Sequence, residues 1–150
     1  MAAPRICDSY DARVPKVGCV HHLDLVVSSL ERSLPLYREL LGPLGFVDVH
    51  EVVGERGEPV FYLDGEGVGA SVSLRQAQSQ LRPYDRYAVG LHHLAFEAPS
   101  RAVVDERLRW ARAQGLEIEN DPQEWPYVPG YYAGFFHDPD GIKLEIVHVP

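Results

Sequence analysis

Cysteine is scarce in this chain: 150 residues contain two, Cys7 and Cys19. That excludes a disulfide framework, and their spacing is not that of a zinc knuckle. Basic excess is absent too. Fourteen Lys and Arg against 22 Asp and Glu leave a net charge of −8, which argues against nucleic acid or an anionic membrane as partner, since both need a basic face. No apolar run approaches the roughly 18 residues of a membrane span. No glycine-rich phosphate loop is present to suggest a nucleotide cofactor. Residues 1–15 hold two Arg but no apolar segment of signal-peptide type, so they read as a flexible tail. What remains is a reduced, cytoplasmic chain, 45% hydrophobic and 24% charged, with enough apolar material to bury one core.

What is present is a repeat. Residues 18–25 read Gly-Cys-Val-His-His-Leu-Asp-Leu, and residues 90–96 read Gly-Leu-His-His-Leu-Ala-Phe. Aligning His22 on His93 sets an offset of 71. Each double histidine opens an alternating run that predicts a strand, followed by a helical stretch, 29–41 and 100–114. Both helices end at a glycine, Gly42 and Gly115. Ser100 is the expected N-cap of the second, and Pro35 fits the first if Ser33 is its N-cap. Shorter strands are expected at 46–51, 59–63 and 70–75, then at 116–119, 132–137 and 143–148. The turn Asp138-Pro139-Asp140-Gly141 joins the last two into a hairpin. Each half is therefore βαβββ. The expected fold is α+β: one domain over 16–150, made of modules 16–75 and 90–150 joined by a linker over 76–89.

Strand parity then selects polar residues. Leu23, Leu25 and Val27, then Leu94, Phe96 and Ala98, then Leu144 and Ile146 form the helix-facing sets. The opposite face receives His22, His93 and Glu145. Two imidazoles and a carboxylate from separate strands suit one divalent ion with open coordination positions, at which substrate oxygens are polarised. The repeat places the counterpart of Glu145 near residue 74, where only Ser73 has the right parity, and a hydroxyl is a poor fourth ligand. His21 and His92, of opposite parity, are assigned to the helix side or to support of the ligands.

These motifs resemble the vicinal oxygen chelate superfamily, which includes glyoxalase I, bleomycin-resistance proteins and extradiol dioxygenases. The resemblance runs from His22 through Leu30-Glu-Arg-Ser-Leu34, Tyr37 and Leu40-Leu-Gly42, then Gly90-Leu-His-His-Leu-Ala95, then Asp138-Pro-Asp-Gly-Ile-Lys-Leu-Glu-Ile146. It implies paired βαβββ modules forming a curved mixed sheet around one metal ion (Fe, Mn, Ni or Zn). The metal positions fall on His22, His93 and Glu145, and the usual fourth position falls on Ser73. It further implies a small-molecule substrate with adjacent oxygens, and a homodimer in which the site forms within one chain or across two. The activity implied is that of a glyoxalase-like lyase or isomerase, with Glu145 moving the proton. An extradiol-type dioxygenase is the alternative, as is a non-catalytic binding protein. Dioxygenases of this type usually carry a tyrosine where this chain has Phe135, and His137 is the nearest acid–base histidine.

Around this set, Trp125, Tyr127 and Tyr131 in the Pro-rich stretch 123–132 form either a lid over an apolar substrate or a self-packed loop. Phe135 joins them as a pocket residue. Arg75 shares parity with Ser73, so it is either a contact for an anionic substrate group or a solvated strand end. His137 is read as an acid–base group or a turn cap, and Asp24 as a ligand-orienting or solvated residue.

Overall fold

A computed structural model describes residues 18–79 and 81–150; the expected tail over 1–15 lies outside the described residues. The first module runs β1 (His22–Val27), α1 (Leu30–Leu41), a short 3-10 turn (Gly42–Leu44), β2 (Asp48–Val53), β3 (Pro59–Asp64) and β4 (Ser71–Gln76). The second runs β5 (Leu94–Glu97), α2 (Arg101–Ala113), β6 (Ile118–Glu124), β7 (Tyr132–His137) and β8 (Lys143–His148). The curved surface is built as two four-stranded sheets, ordered β1-β4-β3-β2 and β5-β8-β7-β6. Each is mixed: β1 pairs with β4, and β5 with β8, in parallel, while the other pairs are antiparallel. The α+β repeat is thus the observed architecture. Among the described residues no helix is long and apolar enough to cross a membrane.

Two local expectations give way. Helix α1 starts at Leu30, with Ser29 as N-cap accepting from the Arg32 N–H, so Pro35 lies inside the helix and not in its first turn. A proline there removes a helical hydrogen bond and costs about 3 kcal/mol. The helix bears this because Tyr37, Leu40 and Leu41 are wholly buried on its inner face, each stabilising by about 1.5–3 kcal/mol. Strand β6 runs to Glu124, past the expected end at 119, so Gln123 and Glu124 are strand and not loop. It is an edge strand with two register shifts, the kind of place where Pro122 is tolerated.

Parity holds. Leu25, Val27, Leu63, Val72 and Leu74 of the first sheet and Ala98, Phe136, Leu144 and Ile146 of the second share one core with both helices. Gly134 lets α2 close onto β7: a Cβ there would meet Leu108 Cγ at 2.7 Å. Polar groups join the modules. The buried Arg107 of α2 donates to the carbonyls of Glu39 (2.7 Å) and Leu40 (3.3 Å) at the end of α1. The Asp138-Pro-Asp-Gly turn grips the start of α1. Asp138 accepts from Tyr37 Oη (2.8 Å), Ile142 N (2.8 Å) and Asp140 N (2.9 Å), and Asp140 accepts from Ser28 N (2.9 Å), Ser28 Oγ and Arg32 (3.2 Å). Burial, first of all, raises the Asp138 pKa, against the lowering effect of its hydrogen bonds. The most specific sequence motif is therefore a clamp between modules, with Gly141 at φ 85° closing the turn.

Candidate metal and substrate site

Glu145 is the pivot. It stands in mid-strand on β8, on the face away from the common core, yet is only 2% exposed. A carboxylate so deeply buried needs partners, and it has two. Tyr131 Oη donates to Oε1 at 2.5 Å, and His93 Nε2 lies 3.1 Å from Oε2. His93 sits one residue before β5, whose Ala95 is the register partner of Glu145, so the parallel pairing brings the two side chains together. Burial, followed by the bond to Glu145, raises the Tyr131 pKa far above its ordinary value and keeps the phenol a donor.

An aromatic wall covers this face. Phe135, the antiparallel partner of Glu145, packs with Ala133, Val147, Trp125 and Tyr131. Trp125 meets Phe135 edge-on (5.3 Å) and stacks with Tyr127 (6.0 Å, 4°). Its Nε1 donates to the Ala133 carbonyl (3.0 Å), and its backbone N–H to that of Tyr131 (2.9 Å). The loop is thus packed on its own aromatics while delivering Tyr131 to Glu145. Tyr127 remains 63% exposed.

Beyond Phe135 lies a charged cluster that parity did not single out. Glu119 accepts from Arg86 (2.5 Å), Lys143 (2.8 Å) and His137 (2.8 Å). Burial raises its pKa, but the hydrogen bonds from Arg86, Lys143 and His137 outweigh that and bring it down to about 2. Lys143 Nζ lies 4.3 Å from the centroid of the Phe135 ring. His137 is thus tied to Glu119, and its Nδ1 faces the Gly141 carbonyl at 3.2 Å. It stands opposite Lys143 and not Glu145, which favours the turn-side role over acid–base work. Lys143 was legible in principle, sharing parity with Glu145; Arg86, in the linker, carried no periodic signal. His92 pairs with His93 (Nδ1···Nδ1 2.7 Å). Its pKa is lowered by burial, then by His93, Arg86 and Lys143.

The first module carries a different set. His22 opens β1, exposed, 2.9 Å from His21 and edge-on to Tyr62 at 5.7 Å. Ser73 is fully buried and its hydroxyl donates to Asp24. Arg75 is held by Asp24 (2.7 Å) and Glu58 (3.1 Å), so it is neither a solvated strand end nor a free cation. Among the described residues no three His, Cys, Asp or Glu side chains gather to hold a metal. One chain brings His93 and Glu145 together and leaves His22 on the other sheet. The pair itself fits a divalent ion: a nitrogen and an oxygen 3.1 Å apart have the separation of neighbouring ligands with bonds of about 2.1 Å. A third protein donor to such an ion would have to come from elsewhere.

Paired βαβββ modules forming two mixed four-stranded sheets define the glyoxalase-like class of α+β folds. The profile of the Glyoxalase/Bleomycin resistance protein/Dioxygenase superfamily matches residues 20–146, and the chain belongs to that superfamily. It is similar to the uncharacterized protein YqjT of Bacillus subtilis, 33% identical over 132 residues, covering 85% of this chain and 97% of YqjT. A Bacillus halodurans protein provisionally called a glyoxalase superposes with TM-score 0.68 at 30% identity, covering 88% of this chain and 96% of its own. A glyoxylase/bleomycin resistance protein/dioxygenase domain from Frankia gives TM-score 0.71 at 26% identity, over 90% of this chain and 94% of that one.

Proposed function

We propose that this protein is a divalent-metal enzyme of glyoxalase/dioxygenase type, acting on a small substrate through two adjacent oxygens, with lyase or isomerase chemistry. The observation that carries this is Glu145: a carboxyl group 2% exposed, outside the common core, fixed between a phenol and an imidazole. Such a group contributes nothing to packing that an apolar residue would not supply at lower desolvation cost, so its presence points to a ligand or a base.

His93 and Glu145 would hold the ion, with His22 of a second copy as third ligand in a two-fold homodimer. The exposure of His22 supports this, since it is the remaining cleft-side histidine at a strand start. When bound, the ion polarises the two substrate oxygens. The chain's own residues then do the rest. Tyr131 anchors Glu145 through Oε1 and leaves Oε2 toward His93, so the carboxylate is oriented to hold or move one proton. Phe135 and Trp125 exclude water from that carboxylate. A second reading, extradiol-type oxygen chemistry, is favoured by the donor set of two imidazoles and one carboxylate, which suits Fe(II) or Mn(II).

Elemental analysis of protein purified without chelator tests the ion. Oxygen uptake on catechols beside a methylglyoxal–thiol assay separates the two chemistries. Protein that takes up no divalent metal under any of these conditions contradicts the proposal and leaves the cleft as a binding site.

A further inference from the structure

The charged cluster beside the site has more cation than its one carboxylate neutralises. Lys143 and Arg86 both bind Glu119. Among the described residues Lys143 donates one of its three N–H groups there, and Arg86 one of its five. Lys143 is nonetheless only 9% exposed, a position in which an ammonium is seldom left with donors unused. The chain as a whole carries −8, so a local surplus of positive charge is not a by-product of composition.

Its placement is specific. Lys143 lies two residues before Glu145 on the same face of β8, a step of about 6.7 Å along a strand. Its ammonium covers the face of Phe135, whose edge meets His93 at 6.4 Å. Arg86 reaches the same spot from the segment between the modules, stacked at 5.1 Å on Tyr87, which in turn touches His92 at 5.4 Å. One aromatic ring thus separates the His93–Glu145 pair from two cations that, among the described residues, keep N–H groups beyond those given to Glu119 and, for Arg86, to Tyr87.

We infer that Lys143 and Arg86 form an oxyanion subsite that takes a carboxylate-like group on the substrate, one strand step from the oxygens facing His93 and Glu145. The substrate class is then a small acid whose charged end is distinct from its vicinal oxygens. This rests on the chelation reading above for the vicinal oxygens, but the subsite is testable without it. Two cations on one oxyanion make charge-assisted hydrogen bonds, the stronger kind. Phe135 sets the spacing between the two ends.

The test uses the full chain, read by calorimetry and Trp125 fluorescence. In chelator-treated protein, inorganic phosphate binds, and Lys143→Met and Arg86→Gln each weaken it about tenfold. Arg112→Gln, on the outer side of α2, leaves it unchanged. Arg86 lies outside both sheets, so its substitution tests the subsite even if Lys143→Met fails to fold. With Mn(II) present, 2-oxoglutarate binds about tenfold more tightly than 2-oxopentanoate, which offers the same vicinal oxygens without the distal carboxylate. Arg86→Gln removes that preference and preserves binding of 2-oxopentanoate. Equal affinity of the two acids in the native protein overturns the subsite, as does phosphate binding that survives both substitutions. Phosphate binding that depends on Lys143 and Arg86 in a protein that takes up no Mn(II) supports the subsite while removing the chelation reading.

Discussion

The two modules share a topology and differ in what their outward faces do. In the second, β8 is buried on both faces: a core on one side and, on the other, the Trp125–Tyr131–Phe135 wall around Glu145. In the first, β1 shows His22 and Val26 to solvent, and the polar groups of β4 are tied into the network of Ser73, Asp24, Arg75 and Glu58. At the position matching Glu145 the first module has a serine that serves its neighbour. Duplicating a fold therefore duplicates the strand that presents a side chain, not the chemistry presented. On the proposed reading the second module would hold the base and its support, and the first would contribute one exposed imidazole.

Breaking the comparison where it is sharpest gives the largest effect. Glu145→Gln is expected to reduce divalent-metal affinity at least about hundredfold, whereas Ser73→Ala, its counterpart, changes it less than about tenfold; equilibrium dialysis with Mn(II) or Zn(II) reads both. Next comes the clamp between modules. Asp138→Ala leaves the Tyr37 hydroxyl and two backbone N–H groups without their acceptor, and should cost about 3 kcal/mol in urea unfolding.

Tyr131→Phe sharpens the contrast within the second module. It keeps the ring in the aromatic wall but frees Glu145 Oε1, and is expected to weaken metal binding about tenfold with little change in melting temperature.

The smallest effect concerns Glu119, whose folded pKa of about 2 lies below its ordinary value. A depressed carboxylate stabilises the fold above its unfolded pKa, near 4.5, and that stabilisation is lost as pH falls through about 2. Glu119→Gln should therefore cost about 1–2 kcal/mol near neutrality after allowance for partial exposure. The difference from the native protein should shrink across that acid window in denaturant titrations.

Much of this architecture was legible because parity is a local property of extended chain. The residues of β1, β5 and β8 fall on the sides their alternation assigns, and the same alternation sent His22, His93 and Glu145 to the face away from the helices before any coordinates. What was not legible depends on long-range geometry. Pro35 within α1 contradicts local propensity, and only the burial of Tyr37, Leu40 and Leu41 explains why the helix tolerates it. The extension of β6 through Pro122 requires knowing that it is an edge. His137 looked equally suited to catalysis or capping until Glu119 was seen beside it. Arg86 could not be placed from a linker without periodicity. Nor could spacing say whether the three candidate residues meet within one chain; sheet pairing brings His93 and Glu145 together and leaves His22 on the other sheet.

On the proposed reading His93 and Glu145 of one copy and His22 of another hold the same ion. Mixing His22→Ala with Glu145→Gln chains, unfolded and refolded together in equal amounts, tests it by metal content. Each variant alone should bind almost nothing. In the mixture, half the dimers are hybrids with one intact site of two, so about one quarter of the native metal content should return if partners exchange freely. A mixture no better than its parents, or a Glu145→Gln chain that retains its metal, would contradict the account.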